Sequence, residues 1–252
     1  MKTDAGTHED WVRRFHSAVP DATRLVCFPH AGGSASFYTP FSAKVSPALE
    51  VFAIQYPGRQ DRRLERRMED IRELADNIFW AMRTMTDRPL AFFGHSMGAI
   101  LAYEVARRLE RDGTVLRHLF ASGRRAPSIQ RLERVHEHDE GGVIAELRLL
   151  NGTDSSILSD AEMLEMIMPA IKSDYRAIES YRHQPGQELT CPITALVGDA
   201  DPRVSIADAK AWGDHTGADF NLRVLPGGHF YLVDQAPAVI KLVQDVLVKT
   251  AP

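Results

Sequence analysis

The chain has 252 residues, 44% of them hydrophobic and 25% charged, which is enough for one sizeable buried core. Its 30 lysines and arginines against 34 aspartates and glutamates leave a net charge of −4, which argues against a protein that neutralises nucleic-acid phosphates. No apolar run approaches the roughly 18 to 20 residues of a membrane span, and the polar start Met1-Lys2-Thr3-Asp4 is no signal peptide, so a cytoplasmic protein off the membrane is expected.

Residues 1–20 read as a loosely held lead-in. From about Thr23, short apolar runs bounded by Gly, Pro or Asp predict strands over 24–28, 51–55, 90–94, 118–122, 193–197 and 222–225. Between them, three- and four-residue apolar spacing predicts helices over 68–85, 99–110 and 232–249. That alternation is the α/β pattern, helices packed on a mostly parallel sheet buried on both faces. It breaks over 126–184, where helices at 144–150 and 161–181 flank the polar stretch Asn151-Gly152-Thr153-Asp154. We read this as a helical insertion in a single domain spanning 1–252, since no repeat or Pro/Ser-rich hinge divides the chain. Cys27 and Cys191 are too far apart for a metal motif or a disulfide framework and are expected to be buried thiols.

The pentapeptide Gly94-His95-Ser96-Met97-Gly98 follows a predicted strand and precedes a predicted helix. In that context Gly-x-Ser-x-Gly is a nucleophile elbow: the serine occupies a strained turn, the glycines let backbone pass close by, and the helix N-terminus faces developing negative charge. A serine hydroxyl is a weak nucleophile at neutral pH, so it needs a base and a carboxylate to orient that base. In this arrangement the order along the chain is serine, acid, histidine. His229, in Pro226-Gly227-Gly228-His229-Phe230, stands in the turn after the last predicted strand, whereas His183 and His215 have the placement of ordinary surface imidazoles. Gly198-Asp199-Ala200-Asp201-Pro202 offers two acids; Asp201 has the loop length to reach the histidine, and Asp199 is better placed to bind local amides. Two N–H donors are needed for the oxyanion, and the amides of Met97 and of Ala31, in Phe28-Pro29-His30-Ala31-Gly32-Gly33, are the candidates.

Together with Tyr56-Pro57-Gly58-Arg59 and Asp174-Tyr175-Arg176-Ala177-Ile178-Glu179-Ser180-Tyr181, these motifs resemble the type II thioesterases, stand-alone α/β-hydrolases serving polyketide synthases and nonribosomal peptide synthetases. The resemblance runs from about Arg24 to the last helix. It implies an α/β-hydrolase fold with a helical lid, and hydrolysis of aberrant or stalled acyl groups from the phosphopantetheine arm of an acyl or peptidyl carrier protein. It also implies that Ser96 forms the acyl-enzyme, with His229 as base and Asp201 as its orienting acid. No metal or cofactor is expected, the partner is the carrier protein, and the protein is expected to be a monomer.

Arg59, Arg62, Arg63, Arg66 and Arg67 share three- and four-residue spacing and, if helical, present one basic face to an acidic carrier protein. Asp61, Glu65, Glu69 and Asp70 would partly neutralise such a face. In the insertion, Leu147, Leu150, Met163, Met166, Ile167 and Ile171 are candidates for an acyl-pocket lining, although amphipathic spacing alone equally describes packing. His136-Glu137-His138-Asp139 sets its histidines two apart, a poor spacing for a metal site. A general carboxylesterase or lipase, and a non-catalytic module on the same fold, are the rival readings.

Overall fold

In the computed structural model, which describes residues 7–152, 157–186 and 188–248, seven strands form one sheet. Helix α1 (His8–Trp11) leads into β1 (Val12–Arg14) and β2 (Arg24–Phe28), followed by α2 (Thr39–Val45), β3 (Glu50–Ile54) and α3 (Ile71–Met82). Next come β4 (Leu90–His95), α4 (Met97–Arg111), β5 (His118–Ser122), α5 (Glu140–Leu150) and α6 (Ala161–Ser180). The chain closes with β6 (Ile193–Gly198), α7 (Ile206–Lys210), β7 (Phe220–Leu225), α8 (Tyr231–Asp234) and α9 (Ala236–Leu247). The strand order is β1-β3-β2-β4-β5-β6-β7, and only β1, on β3, runs antiparallel. The expected α/β-hydrolase architecture is present.

Every residue of β3, β4, β5 and β6 is buried, as expected of strands covered on both faces. The two-residue alternation of a strand divides the core. Val26 and Phe28 of β2 face the layer of α3 and α4, while Leu25 and Cys27 face that of α2 and α9. Both cysteines are buried and free. Helix α3 starts at Ile71, because the Asp70 side chain accepts hydrogen bonds from the amides of Arg72 (2.7 Å) and Glu73 (2.9 Å). The single helix expected over 232–249 is two, with Pro237 in the first turn of the second, and residue 249 lies outside the described residues.

The lead-in differs from expectation. Trp11 is buried in the core on the side of α3 and α4, and β1 pairs Val12 with Ile54 and Arg14 with Phe52, so residues 12–14 join the sheet. Its residues 1–6 lie outside the described residues.

The insertion sits between β5 and β6 and contributes no strand among the described residues. Asp139 caps α5, Asp160 caps α6, and Asn151 closes α5 in the left-handed region at φ 55°. Val135, Val143, Leu147, Met168 and Ile171 give it a small core of its own. Thr153 and Asp154 of the polar stretch lie outside the described residues.

Candidate active site

Ser96 joins β4 directly to α4, at φ 53° and ψ −119°. A non-glycine residue in this region carries strain on the order of 1–3 kcal/mol, held here by neighbours on both sides. The Ser96 amide donates to the Ser122 carbonyl (2.8 Å), and the Ser96 carbonyl accepts from the Ala99 amide (3.0 Å). Both flanking glycines are required by space: a Cβ on Gly94 would stand 2.2 Å from the Gly98 carbonyl oxygen, and one on Gly98 2.0 Å from that of Phe28. Met97 opens α4, so its amide is among the first-turn donors that an α-helix leaves without an intrahelical acceptor.

The loop after β7 carries His229, which is buried. Its Nδ1 lies 2.8 Å from Oδ2 of Asp201. The other Asp201 oxygen accepts from the amides of Arg203 (2.8 Å) and Val204 (3.2 Å), which fixes the carboxylate. Asp199 instead accepts from the Gly227 amide at 2.9 Å. The two acids thus divide the work: Asp199 ties down the loop, and Asp201 meets the ring. Gly198 lets that loop approach, because a Cβ there would meet the carbonyl oxygens of Gly227 and Gly228 at 2.3 Å.

Ser96, His229 and Ala31 line one pocket, roofed by Leu147, Leu150 and Tyr175 of the insertion. Of the other insertion positions named above, Ile171 is buried against the loop of Gly32, Ile167 packs in the insertion core, Met163 is half-buried, and Met166 is 58% exposed. Met166 is not among the residues that line the pocket of Ser96.

Two further histidines, not assigned from sequence, stand at the site: His30 lines the pocket, and His95 is buried beside His229. The His95 ring lies tilted against that of His229, 5.2 Å between centroids, with its Nδ1 2.9 Å from the Ser122 hydroxyl. The His30 ring stands edge-on to Phe37 and Phe230, at 4.8 and 4.7 Å. Burial, then the nearby His229, holds both below the usual imidazole range, His30 at about 3, so both are neutral and weakly basic near neutrality. Their place in Pro29-His30-Ala31 and Gly94-His95-Ser96 was the available signal.

The basic face does not form. Residues 59–67 are a turn with a short 3-10 segment, Gln60–Arg62, not an α-helix. Arg59 and Arg62 are 8% and 5% exposed. Arg59 forms an ion pair with Asp174 of α6, and its pKa is raised because that carboxylate outweighs the lowering effect of burial. Arg62 lies over the Trp11 ring, 4.4 Å from its centroid, and donates to the Gln55 carbonyl (2.8 Å) and Glu65. Arg63, Arg66 and Arg67 are exposed, Arg66 pairing with Glu73.

His215 is buried rather than a surface group, 2.9 Å from the Ser128 hydroxyl through Nε2, and His183 is half-buried beside Tyr103. Neither lines the pocket of Ser96. His136 pairs with Glu179, which also accepts from the Val135 amide (2.8 Å), so that string fastens the first part of the insertion to its own helix α6. Among the described residues no group of three or more His, Cys, Asp or Glu is placed to hold a metal ion, and no helix is long and apolar enough to cross a membrane.

Residues 23–247 match the family model for a thioesterase domain. The chain is 52% identical, over 95% of its own length, to the "Probable cadicidin biosynthesis thioesterase" of Streptomyces griseus, and spans 66% of that protein's length. It is 47% identical to thioesterase PikA5 of Streptomyces venezuelae, over 99% of this chain and 89% of the other. Among solved structures, the type II thioesterase BorB from the borrelidin biosynthetic cluster superposes with a TM-score of 0.90 at 47% identity, covering 98% of this chain and 99% of that one.

Proposed function

The chain belongs to the thioesterase family, and from that premise we propose that it is a type II thioesterase, clearing aberrant or stalled acyl groups from carrier proteins in polyketide or nonribosomal peptide biosynthesis. The near end-to-end likeness to BorB is the observation that carries the reading. The site geometry supports a serine-based route.

In that route the Ser96 hydroxyl attacks the thioester carbonyl while His229 takes its proton. Asp201, 2.8 Å from Nδ1, orients the ring, leaves Nε2 to take that proton and stabilises the imidazolium that forms. The amides of Ala31 and Met97 receive the charge on the carbonyl oxygen. His229 then protonates the departing phosphopantetheine thiol, and water releases the acid from Ser96 by the reverse sequence. No cofactor enters the scheme, since the substrate brings its own pantetheine arm. The setting is cytoplasmic, and a carrier protein meets the exposed Arg63, Arg66 and Arg67.

Hydrolysis of acetyl-, propionyl- and longer acyl-carrier proteins, compared with p-nitrophenyl esters of the same acids, tests this. The proposal predicts a kcat/KM at least tenfold higher for the carrier thioesters. Equal or better turnover of the simple esters would point to a general esterase.

A further inference from the structure

The insertion and the loop bearing Ala31 are joined by a buried polar junction. Asp174, fully buried on α6, accepts from the Gly32 amide (2.7 Å) and from both terminal nitrogens of Arg59 (2.6 and 2.9 Å). Arg59 also donates to the carbonyl of Gly33 (3.1 Å). One turn earlier on α6, Ile171 occupies the space in which a Gly32 Cβ would lie, 2.6 Å from its Cγ1. Gly32, at φ +76°, is thus held by a hydrogen bond and a packing contact from the same helix.

The geometry of the peptide unit carries this to Ala31. The Gly33 amide donates to the His30 carbonyl at 2.9 Å. That carbonyl shares a planar peptide unit with the Ala31 N–H, and the two point in opposite directions. Gly32 held through its N–H and Gly33 through its carbonyl therefore fix the plane that aims the Ala31 N–H. A buried ion pair is a weak device for stability, because a well-packed apolar replacement is often neutral or better. At this position it has another use.

We propose that Asp174 and Arg59 are positioning residues for the reaction, through which helix α6 of the insertion holds the Ala31 amide aimed at the oxyanion. The proposal rests on the serine-hydrolase reading above. It makes the competence of the oxyanion site depend on a seated insertion helix.

The test compares Arg59→Met/Asp174→Leu, which removes the junction without stranding a charge, with Arg59→Met/Asp174→Asn, which restores an acceptor for the Gly32 amide. Each is assayed for kcat and KM on a p-nitrophenyl ester, and for affinity to an alkyl trifluoromethyl ketone, whose serine adduct carries an oxyanion. The leucine variant is expected to lose roughly 10- to 100-fold in kcat, somewhat less than outright removal of one oxyanion donor. Its KM should stay within about threefold and its ketone affinity fall in parallel with kcat, while the asparagine variant recovers the part of the loss carried by the Gly32 bond and keeps the part carried by the Arg59 bond to Gly33. A wild-type kcat and ketone affinity in the folded leucine variant would overturn the proposal, as would a loss confined to KM or no difference between the two variants. Should both unfold, Arg59→Lys, which keeps the charge but loses the fork that reaches Gly33, is read by the same criteria. Failure of the wild-type protein to react with a fluorophosphonate at Ser96 would instead sink the underlying hydrolase reading.

Discussion

Asp201 meets the His229 ring at 2.8 Å, while Asp199, two residues earlier on the same loop, meets the Gly227 backbone amide. The two carboxylates should respond very differently to the same substitution. Asp201→Asn is expected to lower kcat by about 10³- to 10⁴-fold, since an amide cannot hold the imidazole tautomer or stabilise its cation. Asp199→Asn should cost less than about tenfold, because the amide oxygen still accepts from Gly227. Steady-state kinetics on a p-nitrophenyl ester separates them, and the reverse ranking would make Asp199 the orienting acid.

At the elbow, a methyl group on Gly98 would lie 2.0 Å from the Phe28 carbonyl oxygen, a backbone atom within the sheet that has no rotamer with which to yield. Gly98→Ala should therefore destabilise by about 3 kcal/mol or more. Gly113 is the control: it has a positive φ of 91° but nothing within 4 Å of a built Cβ, so Gly113→Ala should cost only about 1 kcal/mol. Denaturant midpoints of the two variants check the contrast.

The arginine run divides into structural and exposed members. Arg62→Ala removes the stack on Trp11 and the bond to the Gln55 carbonyl, and should cost about 2 kcal/mol of stability with ester kcat unchanged. Arg63→Glu/Arg67→Glu should leave ester hydrolysis intact and raise KM for acyl-carrier protein by at least fivefold. An unchanged carrier KM would exclude docking at these two residues.

Acid should unfold the protein through its buried imidazoles. Burial pushes His118 and His215 down to about 4 and His95 well below the usual value. In the unfolded chain each titrates near 6.5, so between about 6.5 and 4 the unfolded state binds more protons and stability falls as pH falls. Each group contributes up to about 1.4 kcal/mol per pH unit in that window and nothing above about pH 7.5. Urea midpoints from pH 8 to 4 check the sign. His118→Gln, which can keep the contact to Thr194, should flatten the slope, and an unaltered slope would remove His118 from the account.

Strands 24–28 and 118–122 were legible to the residue, because runs buried on both faces and bounded by turns have few other readings. The elbow was legible for a similar reason: Gly94, Ser96 and Gly98 act within a few residues of each other. The segment Val12–Arg14 was missed because two of its three residues are arginines and it is too short to show alternation. Arg59 was misread because three- and four-residue spacing of arginines is also the pattern of a solvated helix. What buries it is Asp174, 115 positions away, and spacing cannot reveal a partner at that distance. The surroundings of His30 and His95 depend likewise on ring partners distant in sequence, Phe230 and His229.

The central claim is that Ser96 carries the acyl group. Mixing the protein with an acyl-carrier protein, quenching within the first turnover and mapping the acyl mass by peptide mass spectrometry tests it most directly. The account predicts the added mass on the peptide containing Ser96, absent in Ser96→Ala together with hydrolysis. An acyl group on another residue, or hydrolysis by Ser96→Ala at the wild-type rate, would contradict it.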